Sequence, residues 1–344
     1  MAVRFALQTE IDNWDKLILS NPDGGNVFSS LEFARQKENG GYIANFVMVD
    51  NLAVAILEKN APLMGKLWYL PKGPGVTSFK ELWPVLRELE PFAKKYGVFA
   101  LRIEPEIERN QQPTFTRHGL IKSIPIIPNP STITLDLSDD INSIMTNLPQ
   151  KGRYAIKRAK RDGVKIEHVE SNEKNCQIMY ELLSETAKGQ FGIRNYDYFR
   201  TFWQRFESAG YGQLFFAYYD KKVVAGAYAI VFGEKSTYKD GASMRNRTVY
   251  GASHLLQWEV IKWAKSRGAK IHDFCGSPPS DEIDNPKHKH YGIGLFKTAF
   301  NKTVTDYVGC FDLVINPTKY QIWIKFSEKV AKRLHYYKHH DSYY

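Results

Sequence analysis

Phe79-Lys-Glu-Leu-Trp-Pro-Val-Leu-Arg-Glu-Leu-Glu-Pro-Phe-Ala-Lys-Lys95 carries apolar residues at 79, 82, 83, 86, 89, 92 and 93, the spacing of one helical face. Gly97 stops the helix, and Val98-Phe-Ala-Leu-Arg-Ile103 reads as a strand closed by Glu104-Pro105-Glu106. Upstream, Phe46–Asp50 and Asn51–Leu57 read as a hairpin, and Leu67–Leu70 as a short strand running into the breaker cluster Pro71-Lys-Gly-Pro-Gly75. The order is therefore hairpin, strand, long helix, glycine, strand. It returns in the second half. Gln213–Tyr219 and Val223–Phe232 form a hairpin about Asp220-Lys-Lys222, Thr237–Ala242 is a strand, His254–Arg267 is a helix closed by Gly268, and Ile271–Phe274 is a strand ending at Gly276. The two halves share no strict sequence identity, so the echo is architectural. It predicts a mixed α/β fold with a mixed sheet flanked by helices, made twice.

Between and beyond these blocks, Pro125, Pro128 and Pro130 mark a break, Thr132–Leu137 reads as a strand, and Ser138-Asp-Asp140 can cap a helix over Ile141–Asn147. A basic helix over 150–162, a strand over Val164–Val169 and helices near 173–188 and 196–209 follow. The segment near 319–334 is amphipathic and Lys-rich, with Tyr320, Trp323, Ile324, Val330 and Ala331 available for packing. After it, His335, His339 and His340 lie among tyrosines; a metal site is one reading of them, and a frayed terminus with no metal is the preferred one.

A chain of 344 residues with 43% hydrophobic and 24% charged residues is of two-domain length and excludes disordered and collagen-like classes. Its three cysteines, Cys176, Cys275 and Cys310, are odd in number and form no Cys-x-x-Cys, which argues against a zinc framework or disulfide scaffold. Reduced thiols, no apolar leader at the N-terminus and no membrane-length apolar run fit a cytoplasmic protein. Of the 47 Lys and Arg residues 15 fall within the first 150 positions, against 17 of the 37 Asp and Glu. The remainder is strongly basic, which points to a polyanion as partner. The basic helix concentrates that charge in Lys151, Arg153, Lys157, Arg158, Lys160 and Arg161, with Ala155, Ile156 and Ala159 free to dock it. Such a surface suits a phosphate backbone. Glu104 and Glu106, at the end of a strand, are candidates to accept or orient an amine; the plainer reading is an ion pair with Arg102.

Longer words of the sequence resemble the Fem-type (FemABX) aminoacyltransferases. They are Tyr250-Gly-Ala-Ser-His-Leu-Leu-Gln-Trp-Glu to Cys275-Gly276, Gly294-Leu-Phe-Lys-Thr-Ala-Phe300, Phe311-Asp-Leu-Val-Ile-Asn-Pro317, and the basic run Pro149–Val164. Leu70-Pro-Lys-Gly-Pro-Gly-Val76 and Leu101-Arg-Ile-Glu-Pro105 resemble the family's first domain. The resemblance implies two GNAT-like domains about a cleft: 1–147 with 317–344, and 148–316. It implies transfer of an amino acid from aminoacyl-tRNA, a co-substrate and not a cofactor, to the stem peptide of a peptidoglycan precursor. No sustained charged heptad run is present, so the chain resembles the compact members that lack a coiled-coil arm and use UDP-MurNAc-pentapeptide. A lipid-linked acceptor at the inner face of the membrane stays open. A monomer is expected by analogy.

Residue by residue, the resemblance implies that Lys297 acts at the reacting carbonyl and that Phe296 stacks on the tRNA terminal adenosine. It implies that Lys37, Arg194, Tyr198 and Tyr238 hold the precursor. The chemistry agrees: aminolysis of an activated ester needs a neutral amine held close and a cation for the oxyanion, and Arg grips diphosphate bidentately. The plainer reading of Lys297 is a solvated lysine beside a core phenylalanine on a strand. Two other classes remain open. One is an acyl-CoA N-acyltransferase, for which Arg247-x-x-x-Gly251 is a degenerate loop, and the other is a non-catalytic tRNA-binding protein.

Overall fold

The computed structural model describes residues 2–127, 130–188, 192–246 and 249–344. The chain divides into two compact units: Met1–Pro130 with Asp306–Tyr344, and Ser131–Thr305. These divisions fall earlier than the expected 147 and 316. Thr134–Asp136 pairs with Ile271–Asp273 in the second sheet, and Phe311–Val314 pairs with Val98–Ile103 in the first. Both pairings join residues far apart in sequence.

The first unit holds a seven-stranded sheet in the order Val3–Phe5, Ile43–Val49, Leu52–Ala61, Gly65–Leu70, Val98–Ile103, Phe311–Val314 and Ile121–Lys122. Its one parallel pair, Gly65–Leu70 with Val98–Ile103, is joined by the helix Phe79–Lys95. Ser78 caps that helix through a bond from Glu81 N, and Thr77 bonds the Glu81 carboxylate. Pro84 and Pro91 each remove a backbone donor inside it. Burial of Phe79, Leu82, Val85, Leu86 and Leu89 offsets this, at about 1.5–3 kcal/mol for each side chain.

The second unit repeats the scheme. Its six-stranded sheet runs Thr134–Asp136, Ile271–Asp273, Lys235–Ser243, Lys222–Phe232, Gly212–Tyr219 and Lys165–Val169. Again one pair is parallel, Lys235–Ser243 with Ile271–Asp273, and again a long helix, Ala252–Ser266, joins it. In each unit the strand that closes the parallel pair is borrowed antiparallel from elsewhere in the chain. The basic helix Gln150–Arg161 docks through Gly152, Ala155, Ile156 and Ala159. A Cβ on Gly152 would fall 1.9 Å from the Ala299 carbonyl oxygen, so only glycine permits this approach.

The chain after Asn316 forms the helix Pro317–Ile322, a π-helical turn over Trp323–Ser327, and the helix Glu328–His339. Tyr320, Trp323 and Tyr343 pack with Leu67, Phe99 and Ala100, and the Tyr343 hydroxyl donates to Asn60 O at 3.2 Å. The expected frayed tail is instead held to the first unit, because Tyr343 is buried in this cluster and Tyr344 packs beside it. Val330, expected to pack, is instead 56% exposed.

Candidate functional site

Lys297 ends the short helix Tyr291–Lys297 and is 7% exposed. Its ammonium donates to the carbonyl oxygens of Cys275 and Gly276, the latter at 2.6 Å. Cys275 and Gly276 have φ of 53° and 34°. This left-handed turn, costly for a non-glycine residue, follows the strand Ile271–Asp273 and carries both oxygens. Asp273 braces it by accepting from Cys275 N at 2.7 Å and from the Thr132 hydroxyl at 2.5 Å. Burial lowers the Lys297 pKa to about 8, against the upward pull of Cys275 and Asp273. The reading of Lys297 as a solvated residue on a strand is corrected: the side chain is buried and on a helix.

Next to it, His272 is fully buried between Gln257 and Ser236, at 2.6 and 3.0 Å, and burial followed by Lys297 pushes its pKa down to about 3. It is neutral at physiological pH. Phe296 is half-buried, its ring 5.0 Å from His254 and 5.7 Å from Phe300.

Arg194 and Tyr198 come together at the start of the helix Tyr196–Ser208. Asn195 caps the helix through Tyr198 N, and the Arg194 guanidinium lies 4.4 Å from the Tyr198 ring centroid. Tyr180 donates to the Arg194 carbonyl at 3.2 Å. Tyr238 sits on the strand Lys235–Ser243 and packs against the cluster that includes Leu255 and Leu256. Its hydroxyl occupies the space a side chain on Gly241 would need. Burial and then Asp240 push its phenol up. The register slips between Tyr228 and Ala229, which face Asp240 and Tyr238, so Lys239 is the extra residue of a β-bulge. The bulge turns Lys239 toward Phe202, 4.8 Å from its ring, and onto Asp240 at 3.0 Å. Trp203 Nε1 bonds the other Asp240 oxygen at 2.9 Å. Burial opposes the charge on Lys239, yet Asp240 and Tyr198 raise its pKa. Lys239 was not singled out in the sequence; a bulge leaves no mark there.

Lys37 belongs to the first unit, in the last turn of Leu31–Glu38. It is 7% exposed, 5.6 Å from the Phe33 ring and 5.5 Å from the Tyr42 ring. A second cation, Lys59, lies 4.4 Å from Tyr42 and donates to Gly40 O at 2.9 Å.

The expected pairing of Arg102 with Glu104 or Glu106 gives way to another. Arg102 grips Asp312 with two bonds of 2.8 and 2.9 Å and approaches Glu328 at 3.6 Å. Glu104 accepts from the Tyr69 hydroxyl at 3.1 Å, from Ile127 N at 3.2 Å and from Ile126 N, and burial raises its pKa. Its oxygens are engaged in fixing the 125–127 segment. Glu106 lies 3.6 Å from the Lys72 ammonium.

Within the basic helix, Arg153 donates to the carbonyls of Thr146 and Leu148 and so closes the preceding helix Ile141–Asn147. Arg158 bonds Asp162 and the Tyr154 hydroxyl, each at 3.3 Å, and lies 5.2 Å from the Tyr250 ring. Lys151, Lys157, Lys160 and Arg161 are exposed. Tyr154 and Tyr250 are also exposed, 6.1 Å apart, and were missed in the sequence because nothing local links them. Arg247, the residue on which the acyl-CoA reading turned, lies outside the described residues.

The model of the FemAB family matches residues 115–220 and 210–327. The chain is 22% identical to a lipid II:glycine glycyltransferase of Staphylococcus haemolyticus over 406 residues, which cover 92% of this chain and 94% of that protein. A lipid II:glycine glycyltransferase of Staphylococcus aureus is 22% identical with the same coverage. The first alignment is longer than the chain itself, so that relative carries segments with no counterpart here. Among solved structures, a crystal structure of FemX superposes with a TM-score of 0.80 at 19% identity, covering 94% of this chain and 99% of that one. The C-terminal domain of a putative lysylphosphatidylglycerol synthetase from Agrobacterium fabrum superposes with a TM-score of 0.54 at 14% identity, covering 94% and 96%. These two likenesses concern the fold.

Proposed function

The chain belongs to the FemAB family of aminoacyl-tRNA-dependent aminoacyltransferases, and from this we propose that it extends the stem peptide of a peptidoglycan precursor in building the cross-bridge. The acceptor amine attacks the ester carbon of the aminoacyl-tRNA. A C–N bond forms, the C–O bond to the ribose breaks, and the proton lost by the amine is balanced by the one gained by the ribose oxygen. Lys297 stabilises the oxyanion with its ammonium. With a pKa near 8 it can also give up and regain a proton close to neutrality. Arg194, stacked on Tyr198, grips the diphosphate of the precursor, with Tyr238 of the same unit as a further contact. Lys151, Lys157, Lys160 and Arg161 hold the tRNA backbone, while the half-buried Phe296 offers an edge to its terminal base.

The observation that carries this reading is the buried Lys297 ammonium held by two backbone carbonyls in a chain of this family. The relatives from Staphylococcus are named for action on lipid II, and both the nucleotide-linked and the lipid-linked acceptor belong in the test. Purified protein is incubated with a mixture of charged tRNAs and either acceptor, and the product is weighed by mass spectrometry. The expected result is a gain of one amino-acid residue, abolished by ribonuclease. Transfer that persists at full rate without tRNA would overturn the proposal.

A further inference from the structure

The last helical run of the first unit has a face that neither its packing nor the proposed chemistry uses. Its inward side is occupied: Tyr320 and Trp323 are in the core, and Glu328 bonds Lys332 at 3.1 Å and the Tyr344 hydroxyl at 2.7 Å. Outward, Ile322, Phe326, Val330 and Leu334 follow one another at intervals of four, with Tyr337 three further on. These five are between 41% and 77% exposed. Large apolar side chains rarely stand together in solvent. Beside this row runs a second, Lys325, Lys329 and Arg333, also four apart and exposed. The acidic residue of the same helix, Glu328, is turned inward.

We infer that this face rests on the surface of a bilayer bearing anionic phospholipid, its apolar row entering the acyl boundary and its basic row among the headgroups. A helix with one apolar and one cationic ridge lies in the interface plane, and long Lys and Arg stems reach headgroups while their methylenes stay buried. Among the described residues no helix is long and apolar enough to cross a membrane, so this contact is one of lying on and not of spanning. Two other occupants fit less well. A second copy of the face would bring one Lys/Arg row toward another with no outward acid to neutralise it. An RNA backbone would satisfy the cations and leave Phe326 and Leu334 in water. The lipid here is bulk phospholipid, so the inference stands apart from the identity of the acceptor.

The test floats the full chain with vesicles of phosphatidylcholine alone, or of phosphatidylcholine and phosphatidylglycerol in equal parts. Binding is expected to the anionic vesicles and to weaken as salt rises. Phe326→Ser with Leu334→Ser should lower the partition roughly tenfold or more. Lys325→Gln, Lys329→Gln and Arg333→Gln should each lower it about fivefold. All five side chains are exposed, so every variant should melt at the parent's temperature. Equal partition onto neutral and anionic vesicles would overturn the inference, as would full binding by the Phe326/Leu334 variant. Self-association lost in that variant, without vesicle binding, would assign the face to a second copy instead.

Discussion

Two of the buried cations, one from each unit, are handled in opposite ways. In the first, Arg102 is 2% exposed and clamped by the Asp312 carboxylate, itself fully buried and bonded by the Tyr320 hydroxyl at 2.8 Å. Burial works against the charge there, and the Asp312 bonds more than compensate, so the Arg102 pKa is raised further. In the second, Lys297 is as well buried, yet among the described residues no carboxylate lies within ion-pair distance of it, and it leans on two neutral carbonyls. Carbonyl dipoles hold an ammonium in place without fully offsetting its lost hydration. The difference separates a charge neutralised by a carboxylate from one whose lost hydration is only partly replaced.

That contrast can be broken first through Arg102. Arg102→Met should cost about 3–5 kcal/mol in a denaturant titration, because Asp312 is left charged and buried. Lys297→Met leaves no stranded charge and should be far milder; equal losses would erase the distinction. The next effect is on catalysis: Lys297→Met should lower the transfer rate about 10²–10³-fold, with precursor binding largely kept. Unchanged turnover would return Lys297 to architecture. A third measurement follows stability with pH. The folded pKa of Lys297 is near 8 and the ordinary value is 10.5, so between them the unfolded chain holds the extra proton. Stability relative to Lys297→Met should therefore rise with pH across that window, by up to about 3 kcal/mol. A flat difference would mean that the lysine titrates normally. The smallest effect concerns a third cation, Arg194, half-buried and resting on Tyr198. Arg194→Ala should weaken binding of the nucleotide-linked precursor about tenfold, read by calorimetry, with no change in melting. An unchanged dissociation constant would remove it from the site.

What could be read in the sequence was what is local. The helix Phe79–Lys95 declared itself by period and glycine stop, and the repeated order of elements foretold two mixed sheets flanked by helices. The borrowed strands were not legible, because Thr134–Asp136 and Phe311–Val314 find partners far away in the chain. This is why the unit boundaries moved. The helix ending at Lys297 hid behind Gly292 and Gly294, poor helix formers. Lys297 itself stood out only through resemblance to a family. Its cradle depends on the left-handed Cys275, which no residue type announces, and Arg102 chose Asp312 through a strand pairing the sequence did not reveal.

Gly152 has a consequence for chains only distantly akin to this one. Its contact with the Ala299 carbonyl joins the basic helix to the peptide two residues beyond Lys297. The two cannot drift apart independently during divergence, since any larger side chain at this position pushes one of them away. A side chain at position 152 would therefore have to lift the basic helix or displace the segment that carries Lys297.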